Sequence, residues 1–220
     1  MIFQYKGFNF KIDFEEKNIF SLIVENKKVY RKIIEDLVNN SNIEDGNIIF
    51  SKNDKLIIPE KEIFVFSDYF SFDINKFVLT KYYKELKNLS ENEFLNETLK
   101  IKDILKDYIN KLIENNYSLK FEDDLDVGQI LKAFSIKFER NEDLLLNLFE
   151  WIKILNEILG YEILFFINLG NFLSEDELVE FSKFIVYNKY KVVFLENFYR
   201  NKLSDSDNLI IIDNDLCEIF

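Results

Sequence analysis

The hydrophobic positions of this chain change period along its length. From Phe3 to Phe14, apolar and polar residues alternate on either side of Lys6-Gly7, which predicts a β-hairpin. Ile19–Val24 is an unbroken apolar run, the pattern of a strand covered on both faces. In the segment that follows, Val29, Ile33, Ile34 and Leu37 recur at helical spacing. Short strands are predicted over 47–50, 56–58 and 62–66, with the only proline, Pro59, breaking the chain between the last two. Beyond Phe72 the period lengthens, and the spacing predicts a helix over 74–88. Ser90 and Glu93 then have capping-box spacing and are expected to open a second helix carrying Leu95, Leu99, Ile104, Tyr108 and Leu112. A shorter helix follows from about Val127, and Asn141 is expected to cap a third long helix ending at Gly160. That helix is apolar nearly all round, so it either meets a second partner or is buried among helices of its own subunit.

Residues 162–197 read as strand, helix, strand. Apolar runs at 162–169 and 191–195 flank a helix whose start is marked by the S-x-x-E box of Ser174 and Glu177. Parallel strands joined by a helix belong to α/β folds, which bind nucleotides at the carboxyl edge of the sheet. Strands thus bracket a helical middle. The expected architecture is an α/β head built from 1–72 and 160–220, with 73–159 inserted as a helical extension.

Composition narrows the chemistry. None of the five glycines belongs to a G-x-x-x-x-G-K-[ST] loop, so the cradle and lysine that hold a triphosphate are missing. In a phosphate-loop fold that loop would follow Ile19–Val24, where the turn 25–28 is short and bulky. With no histidine, Ser-His-Asp and Cys-His catalysis and His-ligated zinc are excluded. Glu85-x-Lys87 with Asp68 upstream has the form of a metal-dependent nuclease signature, but it sits in a helical pattern where such sites need a strand. The longest apolar run is too short to span a membrane, no signal-peptide core is present, and Cys217 is the only cysteine; a cytoplasmic protein is expected.

The formal net charge of −12 opposes nucleic-acid binding unless positive charge is segregated or metal ions mask carboxylates. Two clusters bear on this. Lys27, Lys28, Arg31 and Lys32 crowd the start of the first helix, where they oppose its dipole and suit an anionic partner; a solvated Lys/Glu face is the plainer account. Lys132, Lys137 and Arg140 form a looser basic group. Glu122, Asp123, Asp124 and Asp126 would repel one another unless solvated or bound to a hard cation such as Ca²⁺; capping of the following helix is the competing account.

The segments KEIFVFSDYFSFDIN (61–75), EILFFINLGNFLSEDELVEF (162–181) and KVVFLEN (191–197), with the acidic C-terminal region, resemble the type II-A CRISPR adaptation protein of the Csn-two family. The resemblance extends over most of the chain. It implies a degenerate P-loop-NTPase-like head sheet with an inserted helical leg, and a homotetrameric ring that encloses linear double-stranded DNA at its ends with Ca²⁺. It also implies a non-enzymatic role in spacer acquisition beside the CRISPR integrase proteins and the effector nuclease. By position it makes Glu122, Asp123, Asp124 and Asp126 metal-ligand candidates and Lys132 and Lys137 candidates to face DNA. Lys27, Lys28 and Arg31 are DNA candidates on physical grounds alone. The alternatives are a protein-interaction scaffold with negligible DNA affinity, which the net charge favours, and the metal-dependent nuclease.

Overall fold

A computed structural model describes residues 1–39, 46–53, 55–114, 119–121, 125–199 and 208–220. The chain divides into two compact units, residues 1–72 with 140–220, and residues 73–139.

The first unit is built on two sheets. Strands β1 (Ile2–Tyr5), β2 (Ile12–Asp13), β4 (Ile48–Lys52) and β5 (Lys55–Leu56) form an antiparallel sheet in the order β2-β1-β4-β5. The larger sheet combines β3 (Ile19–Val24), β6 (Ile63–Phe66), β7 (Ile163–Ile167), β8 (Lys191–Glu196), β9 (Asn208–Ile212) and β10 (Glu218–Ile219). Its order is β10-β9-β3-β8-β7-β6, parallel throughout except for β10 at the edge. The apolar run Ile163–Ile167 is buried at every position because both of its faces are covered. One face packs Phe20, Leu22, Phe165, Val193 and Leu195 against Phe3, Phe10 and Phe50 of the small sheet and against Tyr30, Ile33 and Leu37 of helix α1 (Lys27–Asn39). On the other, Phe166 meets Phe181 of helix α7 (Glu175–Asn188) with ring centroids 5.4 Å apart.

The predicted unit over 162–197 is present as β7, α7 and a parallel β8. Ser174 caps α7, and Glu177 returns a carboxylate bond to the Ser174 N–H at 2.7 Å, completing the box. Pro59 opens a short helix, α2 (Pro59–Glu62), where its missing N–H costs no bond.

Four expectations need correction. The helix expected from Asn141 is α6 (Leu144–Ile154), continued by a π-helical turn over Leu155–Leu159 and closed by left-handed Gly160. Its cap is Asp143, whose carboxylate accepts from the Leu146 N–H at 3.1 Å. Asn141 instead binds the buried Asn147 amide. Nor does α6 belong to an extension with 73–139. Residues 140–159 cluster with the first unit, since Leu145, Leu148, Trp151, Ile152 and Leu155 are buried and Trp151 packs on Phe66 and Phe72. Its wide apolar surface is therefore mostly satisfied within the chain, although Leu146 stays half-exposed.

The second unit holds α3 (Asn75–Asn92), α4 (Leu95–Ile113) and α5 (Val127–Ala133). Ser90 opens no helix; it lies in the last turn of α3, and its hydroxyl donates to the Lys87 carbonyl at 2.7 Å. The start of α4, after Phe94, has no side-chain cap, but the Thr98 hydroxyl donates back to the Ser90 carbonyl at 2.8 Å. The Asn75 amide pairs with both backbone groups of Phe138, and the Tyr83 hydroxyl donates to the Ile136 carbonyl at 2.8 Å, so the returning segment lies along α3.

In the first unit, Asp36 of α1 is a polar tie to the small sheet. Its carboxylate accepts from the Tyr5 hydroxyl at 2.6 Å, Asn47 Nδ2 at 2.8 Å and Lys32 Nζ at 2.7 Å. Burial pushes its pKa up, but the bonds from Lys32, Tyr5 and Asn47 outweigh this and hold it below the usual carboxylate value. A depressed folded pKa contributes stability above the unfolded value of 3.8, lost as pH falls from there through the folded value. Tyr5→Phe is expected to cost about 1–2 kcal/mol at neutral pH, since it removes a hydrogen bond to a charged acceptor. Urea unfolding at pH 7 and near pH 3 checks this: the deficit should shrink at the lower pH, and an unchanged deficit would place the effect elsewhere.

Candidate functional site

Two places in the first unit carry chemistry. One is the turn from β3 into α1. Asn26 Oδ1 accepts from the N–H groups of Lys28 at 3.1 Å and Val29 at 3.3 Å, and Asn26 Nδ2 donates to the Asn214 carbonyl at 3.0 Å. The donors a phosphate would use at this helix start are thus already engaged by the chain itself. Outside the cap, Lys27, Lys28 and Arg31 are exposed. Arg31 Nε lies 4.0 Å from Glu35 and Lys32 is paired with Asp36, whereas Lys27 and Lys28 enter no ion pair among the described residues.

The other place is the carboxyl edge of the parallel sheet. Asn168, in the left-handed conformation with φ 55°, turns the chain out of β7; asparagine accepts this readily. The turn brings the Gly170 N–H to Glu196 Oε1 at 3.0 Å, and Glu196, which ends β8, is buried. Tyr30 donates to the Leu195 carbonyl at 3.2 Å and Tyr69 to that of Ile167 at 2.9 Å. Burial, then the Glu196 charge, pushes both phenols well above their ordinary pKa, so both stay protonated donors. Asn168 Oδ1 and Asn197 Oδ1 are shielded from solvent without a hydrogen-bond partner. This edge carries carboxylates, amides and tyrosines, and no Lys-bearing glycine loop.

In the second unit, Asp126 caps α5 through the Gly128 N–H at 3.0 Å and pairs with Lys87 Nζ at 2.9 Å. The Lys87 bond, followed by the Gly128 N–H, holds its carboxyl below the usual pKa. The capping account of the acidic segment therefore applies at Asp126. Glu122, Asp123 and Asp124 lie outside the described residues, and among the described residues no group of three acidic or cysteine side chains is arranged to hold a metal. Lys132 in α5 and Lys137 after it are exposed. Arg140 belongs to the first unit, where its guanidinium donates to the Tyr69 and Phe70 carbonyls and lies 5.8 Å from the Trp151 ring centroid.

Glu85 and Lys87 lie within helix α3, and the Asp68 carboxylate is occupied by Ser71 and the Phe70 N–H. No strand underlies this motif, which removes the geometric basis of the nuclease reading. Among the described residues no helix is long and apolar enough to cross a membrane.

Sequence reasoning overlooked the aromatic residues of the carboxyl edge. Phe70, Phe172, Phe198 and Tyr199 each follow a strand of the parallel sheet by a few residues and are 61%, 45%, 40% and 48% exposed. Their signal was available: apolar side chains placed just beyond a strand end, where polar turn residues are the norm.

The model of the CRISPR-associated protein family Cas_Csn2 matches residues 39–216. The CRISPR-associated protein Csn2 of Streptococcus agalactiae is 24% identical over 188 residues, spanning 81% of this chain and 82% of that protein. Its counterpart from Enterococcus faecalis is 27% identical over 161 residues, 67% of this chain and 69% of that one. Among solved structures, Stu0660 of Streptococcus thermophilus superposes with a TM-score of 0.62 at 15% identity, covering all of this chain and 76% of that one.

Proposed function

Since this chain belongs to the Csn2 family of CRISPR-associated proteins, we propose that it acts in CRISPR adaptation as a non-enzymatic binder of linear double-stranded DNA ends. In this reading four copies form a ring, Ca²⁺ bound by the acids of the 122–126 segment supports it, and the DNA is presented to the integrase proteins and the effector nuclease. The parallel sheet is a P-loop-NTPase-like platform without its catalyst. The observation that carries the reading is the family match over 39–216. The β3–α1 turn supports it, because Asn26 occupies the helix start while Lys27 and Lys28 remain available at the surface. A ring that is acidic outside and basic inside reconciles DNA binding with a net charge of −12, since only the lumen meets phosphate. Bound Ca²⁺ would offset carboxylate repulsion without any role in catalysis.

The net charge also favours the second reading, a scaffold that binds proteins and not DNA. One experiment separates the two. Mobility shifts with linear and covalently closed circular duplex of one sequence, with Ca²⁺ and with EDTA, should give a shift for the linear form in Ca²⁺ only. Equal binding of closed circles excludes threading over ends, and no shift at low salt with Ca²⁺ favours the scaffold.

A further inference from the structure

We propose that the carboxyl edge of the parallel sheet in the first unit is a docking surface for a basic partner protein, which places an arginine or lysine among Phe70, Phe172, Phe198 and Tyr199. This rests on the adaptation reading only for the choice of partners to test. The four rings come from the loops that follow three adjacent strands, β6, β7 and β8, and all are more than a third exposed. Exposed aromatic residues grouped on one edge mark interaction sites, where such side chains supply much of the binding energy.

These rings are held in place. Phe70 and Phe172 meet edge to face with centroids 5.2 Å apart, and Tyr69 lies 5.5 Å from Phe172. Beneath them the Tyr69 hydroxyl is bonded to the Ile167 carbonyl, Asp68 Oδ1 accepts from the Phe70 and Ser71 N–H groups at 3.0 Å, and Arg140 holds the Phe70 carbonyl at 2.6 Å. On the neighbouring loop the Phe172 N–H donates to the Leu169 carbonyl at 2.9 Å, and the Ser174–Glu177 box follows at once. The Glu196–Gly170 bond ties the end of β8, and with it the start of the Phe198-Tyr199 segment, to the same loop. A loop fixed this firmly has no evident need for an exposed phenylalanine in its own folding. Pre-organised apolar side chains lower the ordering cost of an association, which is the condition for an anchor.

Charge selects the partner. The described residues of the three loops carry Asp68, Glu175, Asp176, Glu177 and Glu196 and no lysine or arginine; Arg140, which reaches in from outside them, donates to the Tyr69 and Phe70 carbonyls. Such a field repels phosphate and attracts a cationic surface, and a guanidinium stacks on aromatic faces. Nucleic acid is therefore disfavoured here, although bases also stack on aromatic rings.

The test immobilises the full-length chain and passes over it, one at a time, the purified CRISPR-associated proteins encoded with it. At least one basic partner should bind. Phe70→Ser/Phe172→Ser should weaken it at least tenfold, and Glu175→Lys/Asp176→Lys should slow association and reduce its salt dependence. The charge variant keeps the test decisive if the aromatic variant misfolds. Oligomeric mass and the linear-DNA shift are measured on the same variants and should match the parent chain. No binding by the parent chain, undiminished binding by both variants, a loss of DNA binding, or a change in mass would each overturn the proposal. Failure of the DNA-end reading is read separately, as absence of a linear-DNA shift in the parent chain with rim-dependent protein binding intact.

Discussion

Phe166→Ala is expected to lower stability by about 3–5 kcal/mol, a large part of the roughly 5–15 kcal/mol that holds a domain folded. Phe166 is fully buried in the middle strand of the aromatic core. It stacks on Phe66 at 4.7 Å and 8°, lies parallel to Tyr69 at 6.4 Å, and meets the edges of Phe181 at 5.4 Å and Phe194 at 6.0 Å. Truncation removes the ring contacts and leaves a cavity between a sheet strand and α7 that neither can fill without breaking the sheet ladder. Thermal unfolding should show a fall of about 10 °C or more. Phe70→Ala, at the exposed end of the same cluster, should change stability by no more than about 0.5 kcal/mol. If Phe166→Ala melts within two or three degrees of the parent chain, the aromatic stack does not organise this unit.

The contrast between those two phenylalanines also marks what the sequence discloses. The β7–α7–β8 unit was legible because two independent signals agreed: apolar runs of strand length and a capping box that forms as written. Ser90 and Glu93 carry the same spacing, but α3 continues through Ser90 and its hydroxyl bonds backward, so local chemistry lost to helix continuation. Helix α6 misled for another reason. Apolar residues all round a helix say that it is buried and not by what, and Trp151 found its partners in Phe66 and Phe72, far away in sequence. Pairing of β1 with β4, across a helix and a strand of the other sheet, is likewise a long-range choice that alternation cannot specify. At the site level the basic start of α1 was legible. Which of its cations are spent was not, because the Lys32–Asp36 and Arg31–Glu35 pairs depend on rotamers that the helix and its neighbours fix.

That distinction yields the sharpest test of the DNA reading, the double reversal Lys27→Glu/Lys28→Glu. Helix α1 has no acidic residue in its first turn, so the native lysines face the positive end of its dipole. Two glutamates there should favour the helix, by about 0.3–1 kcal/mol each, and no described ion pair is broken. Stability should therefore hold or rise slightly. If Lys27 and Lys28 contact phosphate, affinity for linear duplex should fall at least tenfold at moderate salt. The dependence of log K on log salt should flatten by about 0.9 for each phosphate no longer neutralised. Arg31→Glu, which exchanges a pairing with Glu35 for a repulsion, should do less to binding and more to stability. Unchanged affinity in the double reversal would remove these lysines from the DNA surface and leave Lys132 and Lys137 as the candidates. Weaker binding from a protein that melts no lower than its parent cannot be an unfolding effect, and that opposition of sign is what a cation kept at the wrong end of a helix for an anionic partner requires.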